Sequence, residues 1–414
     1  MGVLDLFRRE VRASVEDPQV PISSRAVLEL FGLGGLSASG VQVTLDNALG
    51  VPAVWAAVNV IASELASLPL QLFRKTKDGR EPVVGGLAKI LHDAVTDDMS
   101  SFLWRKCLFE QVLTNGRSFT LIERNASGRV MNLFLLDPNS VTVRRQSGVR
   151  QYKYRESGLT NTYEASEIID IAFSMMPDGL NHRSPITVNA DTIGLAIAAT
   201  QYGSRYFQNG GVPPFAITGG FQSPGAMSRA GEDMKNAVIK ASKESRQALV
   251  LPNGLEIKPI GVDPEKSQLV ELQRFIIEQI ARIYSLPPTF LQDLTHGTFS
   301  NTEQQDLHFV KHTLKRWVDQ FEQELNLKLF GRINDKQYVA LNIDGLLRGD
   351  FKTRMEGYAQ AIQHGILKPN EARRMENRPS DPDGDYLMIQ GGTVPIKQQL
   401  SLPLEAPKES NNGA

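Results

Sequence analysis

The sequence predicts an α+β fold, and three observations predict it. Between residues 118 and 173, short apolar runs alternate with turn dipeptides, the pattern of a strand-rich meander. Two stretches, 263–286 and 301–330, repeat apolar residues at steps of three and four, well beyond the usual helix length of about 11 residues. Finally, residues 212–262 read as a small β-α-β-β module bracketed by long helices.

In chain order, residues 1–50 carry no strong period. Gly32, Gly34, Gly35 and Gly40, with Ser37 and Ser39, predict a flexible N-terminal arm. Gly32-Leu33-Gly34-Gly35 is not a phosphate loop, because it lacks the third glycine and a preceding strand. A helix follows from Val51, with Pro52 in its first turn and Val54, Val58, Ile61 and Leu65 on its apolar face; Leu68-Pro69 stops it before a strand at 70–73. A second helix spans 101–114 and ends at Asn115-Gly116. Strands are expected at 118–124, 130–136, 141–145, 151–155 and 168–173.

Ser184-Pro185 opens a long helix to Gln208, with Ile193, Ile197, Tyr202, Tyr206 and Phe207 on its apolar side. The small module then offers strand 215–218, helix 227–246 and strands 248–251 and 255–260, the last two joined by the tight-hairpin pair Asn253-Gly254. Asp263-Pro264-Glu265 starts the next helix, striped by Leu269, Leu272, Ile276, Ile280 and Ile283 and stopped by Pro287-Pro288. Ser300-Asn301-Thr302-Glu303 reads as a capping box for the following helix. Its stripe is Leu307, Val310, Leu314, Trp317, Val318, Phe321 and Leu325, and Gly331 ends it. At about 20 to 28 residues each, these two helices are roughly 30 to 42 Å long. They suit either a hairpin in an ordinary core or a radial element of a ring. A strand at 337–343, helices at 350–364 and 369–377, and a polar tail complete the chain.

Composition narrows the function. With 45 basic and 46 acidic side chains the net charge is −1, so there is no basic nucleic-acid grip of the usual kind. A single cysteine, Cys107, excludes intrachain disulfides and multi-cysteine metal sites, and its apolar surroundings predict burial. No apolar run reaches the ~18 residues of a membrane span. Met1 to Arg9 lacks signal-peptide order and Leu6 breaks a myristoylation pattern, so cytoplasmic synthesis and no membrane partner are expected.

Catalytic chemistry finds little support. His308 and His312 stand four apart, a metal-ligand spacing, but Phe309 breaks the HExxH pattern and no acidic or cysteine ligand is nearby in sequence. Ser184 beside His182 precedes a helix-opening proline and suits capping rather than nucleophilic attack. No GxxxxGK[ST] loop occurs, so any ATP-driven motor is a separate partner. No catalytic residue, metal or cofactor is therefore expected. The competing class is a cytosolic metal-dependent enzyme acting on a nucleotide or nucleic acid through the His308/His312 pair.

Several blocks carry a family resemblance. They are Val54-Trp55-Ala56-Ala57-Val58-Asn59-Val60-Ile61-Ala62, Asn115-Gly116-Arg117-Ser118-Phe119, Leu136-Asp137-Pro138, Ser184-Pro185-Ile186, Phe207-Gln208-Asn209-Gly210-Gly211, Leu272-Gln273-Arg274-Phe275, Leu286-Pro287-Pro288, Asp293-Leu294 and, most specific, Thr298-Phe299-Ser300-Asn301-Thr302-Glu303-Gln304-Gln305. From about Ala53 to Arg378 the chain resembles the portal proteins of tailed double-stranded DNA bacteriophages, of siphovirus type. One departure is Lys368, where the family usually places Ser or Thr.

The resemblance implies a portal fold: an α+β wing, a long-helix stem, a small β-α-β-β clip and a short helical crown. It divides the chain into an arm (1–50), wing (51–184), stem helix (185–211), clip (212–262), stem helix (263–286), tunnel loop (287–300), tunnel helix with a wing strand (301–345), crown (346–390) and disordered tail (391–414). It implies a dodecameric ring at one capsid vertex that passes double-stranded DNA. The implied partners are the major capsid protein, scaffold, terminase large subunit and head-tail adaptor, in the virion and, during assembly, the host cytoplasm. The DNA-facing candidates are the loop tip Thr295, His296, Gly297 and Thr298, with Lys311 and Lys315 behind them. The partner-facing clip candidates are Lys235, Lys240, Lys243 and Arg246. Mixed charge on the long helices, such as Glu271 and Glu278 against Arg274 and Arg282, suits a duplex that slides rather than one gripped by phosphate neutralisation.

Overall fold

Helix α2 (Pro52–Ser67) forms as its sequence dictates. Pro52 occupies the first turn, and Val54, Val58, Ile61 and Leu65 bury almost completely. These elements belong to a computed structural model that describes residues 37–77, 79–208, 215–219, 223–243, 255–259, 269–291, 302–334, 336–343, 351–376, 378–389 and 394–395. The chain divides into two units, Met1–Asn342 and Ile343–Ala414.

Of the flexible arm expected over 1–50, residues 1–36 lie outside the described residues, and residues 37–50 are ordered. Helix α1 (Leu45–Leu49) is closed by a capping box between Thr44 and Asn47, and Ser37 is buried. Ser37 packs against Gly194, where an added Cβ would sit 2.1 Å from its hydroxyl oxygen, and the Ala38 N–H donates to Asp191 at 2.7 Å. Small polar residues thus order this segment by close approach rather than by apolar periodicity.

Strand β1 (Leu70–Thr76) pairs antiparallel with β2 (Gly79–Pro82) and, on its other edge, with β11 (Gln337–Leu341). Between them stand the short helix α3 (Leu87–His92) and α4 (Ser101–Thr114), which is capped by Ser100. Cys107 on α4 is half-buried rather than fully buried, and burial and Glu110 push its thiol up. The expected meander is in fact two three-stranded sheets. One has the order β4-β3-β8, from β3 (Arg117–Arg124), β4 (Val130–Leu136) and β8 (Ile168–Ala172). The other is β5 (Val141–Gln146), β6 (Val149–Glu156) and β7 (Leu159–Glu164).

The long helix expected from Ser184 is broken. Its first turn, α5 (Pro185–Val188), stops at Asn189, and α6 (Ala190–Gln208) begins afresh. Ser184 accepts from the Ile186 and Thr187 N–H groups, as capping requires. On α6 the packed positions are Ile193, Gly194, Ala196 and Ala199, whereas Tyr202 and Phe207 are exposed. Small residues, not the expected aromatic stripe, let α6 approach its neighbours. The module that follows comprises β9 (Phe215–Gly219), α7 (Pro224–Lys243) and β10 (Leu255–Pro259), with β9 and β10 antiparallel. Its expected strand 248–251 and hairpin Asn253-Gly254 lie outside the described residues, as does the opening Asp263-Pro264-Glu265 of the next helix.

The core of the first unit is aromatic. Trp104, Phe109, Trp317 and Phe321 are at most 2% exposed, and successive ring centroids lie 5.4 to 6.5 Å apart, reaching Phe173 and Tyr284. Trp104 Nε1 donates to Thr120 at 3.1 Å, so its polar edge is satisfied. Arg105 is also buried and donates to the Ala66 carbonyl at the end of α2 and to Ser101; burial lowers its pKa to about 10.

The second unit holds α11 (Phe351–Gln363), α12 (Pro369–Met375) and the two-residue strands β12 (Met388–Ile389) and β13 (Val394–Pro395). Lys368 supplies no side-chain acceptor to α12, but Glu371 reaches back to the Lys368 N–H at 2.9 Å. Arg354 and Tyr358 clamp Glu376, and buried Asn370 ties the 381–384 turn to α12.

Candidate functional site

The candidate site is built where two helices face each other across residues 292–301. Helix α8 (Leu269–Tyr284) comes from one side. From the other comes a helix in three parts: α9 (Thr302–His308), a π-helical segment (Phe309–Leu314) and α10 (Lys315–Phe330). A continuous α-helix is expected here, and the π segment is the correction. It inserts an extra residue, which turns the preceding face by about 100°. Hence Leu307, assigned to the apolar stripe, is 44% exposed, while Val310, Leu314, Trp317, Val318, Phe321 and Leu325 are buried.

Helix α8 does not run into Pro287-Pro288. It ends at Ser285, whose backbone is left-handed with φ 56°, and the Leu286 N–H reaches back to the Ala281 carbonyl while the Ser285 N–H reaches Arg282. Glycine is usual at this position, so a serine holds it at some strain. Its carbonyl is taken up by Thr313, fully buried in the π segment, whose hydroxyl donates to it. Two further contacts cross the gap: the Thr289 hydroxyl donates to Gln305 at 2.5 Å, and the Phe290 and Phe309 ring centroids lie 4.4 Å apart. Ser285, Thr289, Phe290, Gln305, Phe309 and Thr313 thus clamp the base of the loop. Gln305 lies in the most specific of the family blocks and Phe309 was noted only for breaking the HExxH pattern, but the clamp itself was not read from the sequence; its one local signal was a serine where a helix must stop before Leu-Pro-Pro.

The charges near this base are mixed. Lys311 and Lys315 are both exposed, and Lys315 pairs with Asp319 at 2.8 Å. Arg282 pairs with Glu278 at 3.4 Å. Glu64 on α2 lies near Asp306; burial first, then Asp306, raises its carboxyl pKa. His308 and His312 stack with ring centroids 4.4 Å apart beside Arg282, Pro287 and Gln305. Among the described residues no group of three or more His, Cys, Asp or Glu is placed to hold a metal. No described helix is long and apolar enough to cross a membrane.

The loop-tip candidates Thr295, His296, Gly297 and Thr298 lie outside the described residues. Lys235, Lys240 and Lys243 all fall on α7, and Arg246 lies outside the described residues. The fold therefore brings Lys311 and Lys315 to the loop base and groups the three lysines on one helix.

A second polar cluster centres on Asp170. Arg117, 1% exposed, grips Asp170 with two hydrogen bonds at 2.7 and 2.5 Å, and Tyr152 donates to the same carboxylate at 2.7 Å. The Tyr152 hydroxyl is pushed up by burial and then by Asp170. The Asp170 N–H donates to Glu324 of α10, whose carboxyl is raised by burial and partly offset by Lys328. Every charge here has a protein partner, so the cluster joins β3, β6, β8 and α10 structurally.

An α+β body, two long helices that meet at a clamp and a small excursion between α6 and α8 make up the described part of the first unit. The chain belongs to the phage portal protein family, whose model matches residues 52–377. It is 29% identical over 381 residues to the probable portal protein of Streptomyces phage phiC31, covering 86% of this chain and 80% of that protein. It is 27% identical over 397 residues to the portal protein of Enterobacteria phage HK97, covering 92% and 91%. Its fold is similar to a chain in the neck of a native gene transfer agent (GTA) particle solved with C12 symmetry, with a TM-score of 0.54 and 18% identity over 80% of this chain and 91% of that one.

Proposed function

We propose that this portal protein assembles as a ring of twelve copies at one capsid vertex and forms the channel through which double-stranded DNA is packaged and ejected. The observation that carries this reading is the loop base. Two long helices flank residues 292–301, and three contacts between them hold the positions on either side together. Twelve-fold assembly is supported by the C12 symmetry of the related neck particle. The wing, stem, clip and crown follow the order of elements given above.

In this reading Thr295, His296, Gly297 and Thr298 line the channel, with Lys311 and Lys315 behind them. The pairing of Lys315 with Asp319 suits passage, because a neutralised lysine releases few counterions from the duplex and so holds it weakly. Lys235, Lys240 and Lys243 on α7, with Arg246, present the clip to the terminase large subunit and later to the head-tail adaptor. The major capsid protein and scaffold meet the outer body. The protein works without a cofactor and without catalysis of its own, in the virion after assembly in the host cytoplasm.

Deleting Thr295 to Thr298 tests the loop. Rings should still form by native mass spectrometry, while the yield of packaged genomes falls; an unchanged genome yield rejects the loop's role.

A further inference from the structure

We infer that the outer face of the β2-β1-β11 sheet is a docking surface for an acidic peptide segment of a partner protein. Strand alternation fixes that face. Leu70, Leu72, Val339 and Leu341 are buried on one side of the sheet, so Phe73, Lys75 and Tyr338 stand on the other. Phe73 faces Tyr338 across the ladder, and their rings stack with centroids 5.6 Å apart. Arg80 lies over the Phe73 ring at 4.7 Å and Lys75 over the Tyr338 ring at 5.7 Å. Lys75, Gly79, Arg80 and Tyr338 line an open groove of about 500 Å³.

The charge on this face is one-sided. Lys75 is directly opposite Arg80 in the register, and its N–H donates to the Lys336 carbonyl at 2.9 Å, which sets Lys336 beside it on the other strand. All three side chains are exposed. Like charges directly opposite each other weaken a sheet, and no described carboxylate pairs with any of the three. Residues 71–82 and 332–340 together carry six basic and three acidic side chains, a net +3 in a chain whose total is −1. An anionic partner removes that repulsion. The rings indicate which kind. Base stacking needs open ring faces, but Phe73 is taken up by Tyr338 from β11 on one side and Arg80 from β2 on the other, and Tyr338 already meets Phe73 and Lys75. A duplex binder neutralises about 6–10 phosphates, far more than this groove can reach. Carboxylates need only the edge donors that a ring-stacked guanidinium keeps available. The inference is separate from ring assembly and DNA passage.

Fluorescence polarisation of a labelled poly-glutamate peptide against the full chain tests it. The peptide should bind, and Lys75→Gln with Arg80→Gln should weaken binding about tenfold. Arg129→Gln with Arg155→Gln, which removes two exposed cations from other strands and turns, should leave it unchanged. Unchanged binding in the first variant overturns the inference. So does equal weakening in both, because the peptide would then follow net charge alone. Lys336→Gln touches neither ring contact, so it keeps the test open if the first variant folds poorly. It should weaken binding about threefold, and no weakening there overturns the inference too. A single-stranded poly-thymidine oligonucleotide that binds more tightly than the peptide, and loses that binding with Lys75→Gln and Arg80→Gln, would assign the face to nucleic acid instead and overturn the peptide reading.

Discussion

The core around Trp317 and the outer face of α6 and α8 are made of similar residues and treated oppositely. Trp104, Phe109 and Phe321 are at most 1% exposed, whereas Val270 and Phe275 on α8 and Tyr202 and Phe207 on α6 are 43 to 76% exposed. Charges follow the same division. Arg117 and Asp170 are buried and bidentate, while Arg282–Glu278 and Lys315–Asp319 are exposed pairs one helical turn apart. The first region completes itself with its own chain. The second leaves apolar area open among the described residues. Stability should therefore be concentrated in the body and association in the long helices.

The strongest way to break this comparison is Asp170→Ala. It leaves Arg117 buried without its carboxylate and strands the Tyr152 hydroxyl, at an expected cost of about 3–5 kcal/mol in denaturant unfolding. A cost near zero would mean that the body does not depend on this cluster. Thr313→Val should cost about 1–2 kcal/mol, since the buried Ser285 carbonyl loses its donor. Hydrogen exchange should rise around residues 285–291 and 305–313 and stay unchanged in the β4-β3-β8 sheet.

A smaller effect is a matter of pH. Burial and Asp306 raise the Glu64 carboxyl pKa in the folded state, so the folded chain holds that proton more tightly than the unfolded one. Stability from this group is full below the ordinary carboxylate value and is lost as pH rises through the raised one. Glu64→Gln should flatten that decline in Tm, and parallel Tm-versus-pH curves for the two proteins would rule the coupling out. The smallest effect on folding is expected from Phe275→Asp, within about 0.5 kcal/mol, because the ring is already half exposed. Native mass spectrometry should nonetheless show fewer assembled rings. If instead folding fails and assembly persists, the comparison is inverted.

The body was readable in the sequence because its periods are unmixed. The helices at 52–67 and 101–114 repeat cleanly, and strands such as 130–136 are bounded by Ser127-Gly128 and Asp137-Pro138. Strand β7 was not readable: Leu159-Thr160-Asn161-Thr162-Tyr163-Glu164 has almost no apolar alternation, and it is a strand only because β6 offers it a ladder. The π segment escaped because an apolar stripe read at 3.6 residues per turn has no place for an inserted residue, and Leu307 was carried onto the wrong face. The loop-base clamp escaped for another reason. Ser285, Thr289 and Thr313 are small polar residues whose role depends on partners 16 to 28 positions away.

One pairing bears on how the chain is made. Strand β1 pairs with β11, so Leu70 waits for Leu341, about 270 residues downstream. At ribosomal speeds of about 5–20 residues per second, that wait lasts roughly 15 to 55 s. Throughout it, one edge of β1 is covered by β2 and the other is an open template for foreign strands. When β11 arrives, its own outer edge is closed at once: Asn326 of α10 bonds both the N–H and the carbonyl of Val339, and Glu322 takes the Leu341 N–H. The last strand of this sheet therefore acts as a seam that shuts behind itself, and a nascent chain paused before residue 337 would be the form most in need of a chaperone.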